Sequence, residues 1–277
     1  MPAMIIYCLF TFYPFVRSIY YSFTMWDMMR KPVFIGLDNY GYLLQDSKMR
    51  SAAINTFLMT LFGLFIQNPL AILLAVLLNR KFLTGHFLRT AFYFPVIISL
   101  VVVSVVWSQI LSYEGILNVV MSQLGLEAYT FDWLGHVGTV FKTIILLTQW
   151  QGIGYCVIIY LAGLQSIPID LYEAARIDGA GNARRFWHVT IPLLMPTITI
   201  VTFLIIVGGL KLFEIPYILT NGGPGTASYT VVLAIYDAAF RDNSAGYAVS
   251  AGMILMLVMM VITFIQLLLT RRKEVEM

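Results

Sequence analysis

The chain has 277 residues, of which 60% are apolar and 11% charged, with a formal net charge of +3 and a mean hydropathy of +0.83. A soluble domain carries about 25% charged residues, and a water-soluble fold lacks the interior to hide so much apolar side chain. The bilayer is therefore the expected solvent, and a small charge gathered into no basic face argues against nucleic acid as a partner.

A membrane-spanning helix needs about 20 mostly apolar residues to cross a core about 30 Å thick. Six segments reach that length: 2–24, 53–78, 91–111, 141–165, 197–219 and 247–270. They predict an all-α, polytopic membrane protein with six transmembrane helices, surrounded by membrane lipid. The first segment contains Pro14 and Arg17, lacks a basic start and shows no small-residue cleavage site, so it reads as a retained helix rather than a secretory signal. The missing basic start leaves the position of the true N-terminus open. Residues 1–52 are expected to form the first helix and an outer loop, 53–270 a core of five helices with the loop 166–196, and 271–277 a tail. Pro14, Pro69 and Pro95 fall inside spans, where neighbouring helices must satisfy the freed carbonyls.

Six crossings put both termini on one side, and the positive-inside rule selects it. Loop 79–90 carries Arg80, Lys81 and Arg89, loop 166–196 carries Arg176, Arg184 and Arg185, and the tail carries Arg271, Arg272 and Lys273. Loop 112–140 has no Lys or Arg, and loop 220–246 has only Arg241. Loop 25–52 is the exception, with Arg30, Lys31, Lys48 and Arg50. The balance places both termini in the cytoplasm.

Cys8 and Cys156 are far apart and read as buried small apolar side chains. His86, His136 and His188 are isolated, and no HExxH, CxxC or phosphate-loop pattern occurs. No cofactor, metal or nucleotide is therefore expected on this chain.

The fourth span contains Gln149-Trp150-Gln151-Gly152 and Tyr155. Trp and Tyr stack on sugar rings and Gln bonds hydroxyls, although helix packing is the commoner use of such aromatics. The fifth span contains Gly208-Gly209, which leave space for a ligand or bend the helix, then Lys211 and Glu214. That three-residue spacing puts both charges on one helical face, either as a polar lining of a solute path or as a self-neutralising pair packed against a partner subunit. Ser244, Ala248 and Gly252 recur every four residues, the small-residue pattern of close helix contact.

The stretch SIPIDLYEAARIDGAGNARRFWHVTIPLLMP, from Ser166 to Pro196, is too structured for a plain loop. Asp170 followed by Glu173 resembles a capping box that starts a helix, Ala174 and Ala175 favour it, and Gly179 and Gly181 stop it. Asn182 is placed to cap a second short helix that Pro192 ends. Phe186 and Trp187 on that helix suggest docking into a groove, or rest at the membrane interface.

Glu173-Ala174-Ala175, then Gly179, then Thr190-Ile191-Pro192 resemble the EAA signature of permease subunits in binding-protein-dependent ABC importers, departing from its I-x-L-P ending. The match is closest to the carbohydrate branch, and it continues through FIGLDNY at 34–40, Asn55-Thr56, LTNGGPG at 219–225, YDAAF at 236–240 and GYAVSAG at 246–252. In that order these segments resemble the larger maltose-permease subunit. The resemblance implies a type I ABC importer permease fold. Its partners would be a second permease subunit, favoured as a different chain, two cytoplasmic ATPase subunits and an extracytoplasmic solute-binding protein. Glu173, Ala174, Ala175, Asp178, Gly179, Phe186 and Pro192 would then form the ATPase-coupling elbow. Gln151, Gly152, Tyr155, Gly208, Gly209, Lys211 and Glu214 are the candidates for the solute path. Gly152 and Tyr155 match sugar-site positions of that subunit, whereas Gly208 and Gly209 match by position without identity. ATP-driven closure elsewhere would turn such a subunit from inward- to outward-facing. An ion-coupled secondary transporter is the rival, with Glu214 its one obvious intramembrane carboxylate. A membrane enzyme would need a clustered acid–base or nucleophile constellation, which the sequence does not display.

Overall fold

Every apolar segment is helical in the computed structural model, which describes residues 2–79 and 85–271. The basic residues Arg80, Lys81, Arg272 and Lys273 and the expected tail lie outside the described residues. Helix α1 (Pro2–Ser22) leads into a small antiparallel ribbon, β1 (Thr24–Met25) with β2 (Val33–Phe34), in the register Thr24 to Phe34. There follow α2 (Asp38–Gln45), α3 (Ser47–Leu78), α4 (Gly85–Ile97), α5 (Leu100–Ile110), α6 (Ile116–Gln123), α7 (Val137–Gln165), α8 (Ile169–Ile177), α9 (Asn182–Thr220), α10 (Val231–Phe240) and α11 (Ala245–Arg271). By length and composition α1, α3, α7, α9 and α11 can each cross a membrane, and α4 with α5 form a sixth candidate.

That sixth candidate corrects the expectation of one straight span over 91–111. The two helices meet at 95° across Ile98 and Ser99. Pro95 inside α4 removes a helix donor, and the chain turns extended at Ser99. The bent pair lies directly on α7: a Cβ on Gly154 would sit 2.0 Å from the Phe92 carbonyl oxygen, so only glycine allows this approach.

Pro14, Pro69 and Pro192 are absorbed differently. A wide π-type turn over Cys8–Phe12 precedes Pro14, another over Gly63–Gln67 precedes Pro69, and a third over Phe186–Thr190 precedes Pro192. In each case the residue just before the proline donates five residues back, Tyr13 to Cys8, Asn68 to Gly63 and Ile191 to Phe186. A regular helix would press the proline ring onto the carbonyl four residues earlier, and the widened turn relieves that crowding. Pro192 therefore does not end a helix, contrary to the sequence expectation. It lies near the start of the regular part of α9, Ile191–Leu210.

Long helices begin ahead of their apolar stretches because a polar cap starts them. Asp46 accepts from the amides of Lys48 and Met49 at 2.8 and 3.2 Å and opens α3. Burial opposes its charge, but the Tyr247 hydroxyl at 2.5 Å and those two amides outweigh it and hold the carboxyl below the usual carboxylate range. His136 caps α7 through the Gly138 amide.

Helix α7 is the centre of the bundle, packed by α3, α4 and α9. Ala71 and Ala75 of α3 meet Cys156, Val157, Tyr160 and Leu164 of α7 and Leu194, Val201 and Ile205 of α9. Small residues let the backbones close together, which matters where lipid supplies no hydrophobic drive between helices. Asn68 of α3 ties the three together: it accepts from the Tyr160 hydroxyl and donates to Thr202 at 3.1 Å. Cys156 is buried as expected, but Cys8 is exposed on α1, which meets the bundle chiefly along α11.

One end of the bundle is stitched by polar bonds. Asn39 donates to the Ser22 and Thr24 carbonyls at 3.0 and 2.9 Å. Asn55 donates to the carbonyls of Thr226 and Tyr229, both at 3.0 Å, and the Val231 amide donates to Thr56 at 3.0 Å. The Gly246 amide donates to the Trp26 carbonyl, and a Cβ there would meet the Thr24 carbonyl oxygen at 1.9 Å. Gly246, not the Ser244/Ala248/Gly252 series, makes the close backbone contact of α11: Ser244 precedes the helix and a Cβ on Gly252 would meet nothing within 4 Å.

Candidate functional site

Midway along α3, α7 and α9 a cavity of about 360 Å³ opens between the helices, within the range of ~300–1,000 Å³ usual for small-molecule sites. Helix α7 contributes Thr148, Gln149, Gln151, Gly152 and Tyr155, and α9 contributes Gly208, Gly209 and Leu212. Of the sequence candidates, Gln151, Gly152, Tyr155, Gly208 and Gly209 thus come together on one cavity. Gly208 leaves open space, since a Cβ there would meet nothing within 4 Å, while Gly209 lets α9 touch α3, where a Cβ would fall 2.6 Å from Thr60 Oγ1. Trp150 turns away and packs edge-on against Trp107 of α5, with centroids 5.5 Å apart.

Lys211 and Glu214 are not part of this lining. The helical run stops at Lys211 and resumes at Glu214, so the one-face spacing expected of a continuous helix does not apply. Among the described residues no ion pair joins them. Lys211 borders a shallow groove with Phe203, Val207 and Met256, and Glu214 opens the last helical stretch of α9, where the helix dipole favours a carboxylate.

Sequence reasoning missed Met59, Thr60, Gly63 and Gln67, which α3 supplies to the opposite wall. The available signal was the polar pair Gln67-Asn68 midway along an apolar span, since polar groups at that depth are costly unless satisfied.

At the other end of α7 the chain makes the elbow. Its first helix, α8, starts after Pro168 and has no side-chain cap. Asp170 lies within the first turn rather than at the cap, which corrects the capping-box reading. Proline's fixed backbone starts the helix instead. Gly179 has φ +74°, and the Ala180 amide returns to the Ala175 carbonyl at 2.9 Å, so a left-handed glycine closes the helix as expected. Asn182 is likewise inside its helix: Gly181 is the cap, and the Asn182 side chain accepts from Arg185. Glu173, Ala174, Asp178 and Gly179 are exposed, Ala175 and Phe186 half-buried. The elbow also exposes Ile177 (87%) and Trp187 (64%), the latter set edge-on to Phe186 at 5.2 Å. Tyr172 anchors it, packing on the central core and lying 3.2 Å from Thr190 at the base of α9.

A cavity lined by α3, α7 and α9 with Val96 and Leu100 of the bent pair, largely apolar but carrying several amides and hydroxyls, together with an elbow of exposed short helices between α7 and α9, fits an integral-membrane transport subunit. The model of the family described as binding-protein-dependent transport system inner membrane component matches residues 67–275. The AmyD permease protein of a probable starch degradation products transport system in Thermoanaerobacterium thermosulfurigenes is 34% identical over 276 residues, covering 100% of this chain and 94% of that protein. The MsmF permease protein of a multiple sugar-binding transport system in Streptococcus mutans is 34% identical, over 98% of this chain and 93% of its own length. A bacterial alginate ABC transporter, crystallised with an alginate pentasaccharide-bound periplasmic protein, contains a chain that superposes with a TM-score of 0.85 at 26% identity, over 98% of this chain and 92% of that one. The chain belongs to the family of inner-membrane components of binding-protein-dependent transport systems, and it has the type I permease fold.

Proposed function

We propose that this subunit passes a sugar or related small polar solute through the cavity between α3, α7 and α9, the solute being delivered by an extracytoplasmic binding protein. Separate ATPase subunits drive the passage through the elbow, and a second permease subunit, a different chain, completes the pore. The observation that carries this reading is continuity: the helices that wall the cavity, α7 and α9, run directly into the elbow at Gln165 and Asn182. A push on α8 is thereby delivered to both walls. On a largely apolar lining, the amides, the Thr60 and Thr148 hydroxyls and Tyr155 suit a hydroxyl-bearing, uncharged solute. Alginate, which the transporter of similar structure carries, is acidic, and this cavity lining presents no cation to pair with such a charge.

The elbow is assigned to the cytoplasm by its Arg176, Arg184 and Arg185 against a loop 112–140 free of Lys and Arg. The exception in loop 25–52 weakens once Lys48 is seen ion-paired to Asp237.

In the assembled complex reconstituted into proteoliposomes, Glu173→Lys and Gly179→Val are expected to cut uptake at least about tenfold while nucleotide hydrolysis continues. A Cβ at residue 179 meets open space, so the lesion comes from the left-handed backbone and from the partner surface. Normal uptake by both variants would remove the elbow from the coupling path.

A further inference from the structure

Gln67 stands out among the cavity residues because its side-chain bond goes to a thiol. It is only 8% exposed, midway along α3. Its amide Nε2 donates to the Cys156 thiol at 3.2 Å, and no other hydrogen bond to its side chain occurs among the described residues. Sulfur is a weak acceptor, and a buried carboxamide left short of partners is unfavourable. The wide turn over Gly63–Gln67 brings both of its end residues to the cavity wall. Opposite, Gly152 supplies the room: a Cβ there would lie 2.9 Å from Gln67 Nε2 and 3.3 Å from Oε1. In the same lining Gln149 Oε1 is buried with no hydrogen-bond partner among the described residues.

We infer that Gln67 is a specificity-determining contact of the transport site, exchanging its bond to the Cys156 thiol for one to a hydroxyl of the solute. The inference rests on the reading of this cavity as the solute path. A hydroxyl both donates and accepts, so it completes a carboxamide that a thiol serves poorly. A solute lacking that hydroxyl leaves the amide underpartnered, which is how a polar site rejects deoxy analogues. The bareness of Gly152 then serves to admit the Gln67 side chain as well as the solute.

The test measures uptake by the complete complex, with its binding protein, in proteoliposomes. The probes are maltotriose, lactose and an alginate trisaccharide, and singly deoxygenated analogues of whichever is carried. Gln67→Leu is expected to raise KM by roughly tenfold, the size of one net neutral hydrogen bond at its upper end, with a smaller change in Vmax. It should also erase the preference for the parent sugar over one particular deoxy analogue. Gly152→Ala should displace the carboxamide and act non-additively with Gln67→Leu. Cys156→Ala, which removes the thiol and keeps the amide, should not erase that preference. Should Gln67→Leu fail to assemble, Gln67→Met fills the same space without the amide and is read in its place. An unchanged KM and preference, or the same loss of preference from Cys156→Ala, would overturn the role of Gln67. If the native complex carries none of the probes, the sugar reading falls and takes this inference with it.

Discussion

Asp237 of α10 is a carboxylate almost closed to solvent, 4% exposed, gripped by Lys48 at 3.2 Å and Arg241 at 3.1 Å and bonded by the Tyr229 hydroxyl. Lys48 also lies 4.5 Å from the centre of the Tyr229 ring. The two cations are partly exposed, so each alone is worth little beyond about 1 kcal/mol, because the other still compensates the carboxylate. Lys48→Met and Arg241→Met are therefore each expected to be mild. Together they strand a buried charge, and the double variant should lose about 3–5 kcal/mol. Thermal unfolding in detergent, with Asp237→Asn restoring the double variant, checks this. The sequence displayed these cations only as a breach of the charge rule; the partner of Lys48 lies 189 residues further on, a separation that no local pattern bridges.

At the level of elements, apolar length sufficed to locate five of the six expected spans, and glycine at residue 179 sufficed to place the elbow bend. What local reading could not supply was how each proline would be accommodated. The same residue type widens a turn before Pro14, Pro69 and Pro192 yet accompanies a bend of 95° at Pro95. The difference lies in the neighbours, for α4 is pressed onto Gly154 of a helix that was sequentially distant. A wide turn holds one residue more than a regular one, so deleting Val189 from the Phe186–Thr190 turn should restore a regular helix. The Pro192 ring would then press on the carbonyl four residues earlier and distort the join between the elbow and α9. The expected outcome is a complex that assembles weakly on its ATPases, with uptake reduced more than nucleotide hydrolysis; unaltered co-purification and uptake would show that the turn is passive. The site shows the same division: the α7 and α9 walls were visible as polar or bare positions, whereas the α3 wall offered only the Gln67-Asn68 pair and was assembled by helix packing.

For the whole molecule, segments that carried the family resemblance outside the elbow converge with residues beside them in the chain. Asn55 and Thr56 bind residues 226–231, and Gly246 abuts Trp26, although these lie at opposite extremes of the chain. Their spacing in sequence gave order without contact, and the structure supplies the contact. The proposed sidedness puts this rim and the elbow on opposite faces of the membrane. In a background with both cysteines replaced, Glu114→Cys should react with a membrane-impermeant maleimide on intact cells, and Ser166→Cys only after permeabilisation. The reverse pattern would invert the topology and detach the elbow from any cytoplasmic motor.

The distribution of polar stitches has a mechanical consequence. The rim is riveted by Asn39, Asn55, Thr56 and Asp237, whereas the elbow is moored to the bundle by Tyr172 and the Ile167 core contact. Under the proposed coupling such a body would work as a lever with its fulcrum near the rim, so that force applied at the free arm is geared into a small, strong displacement at mid-depth.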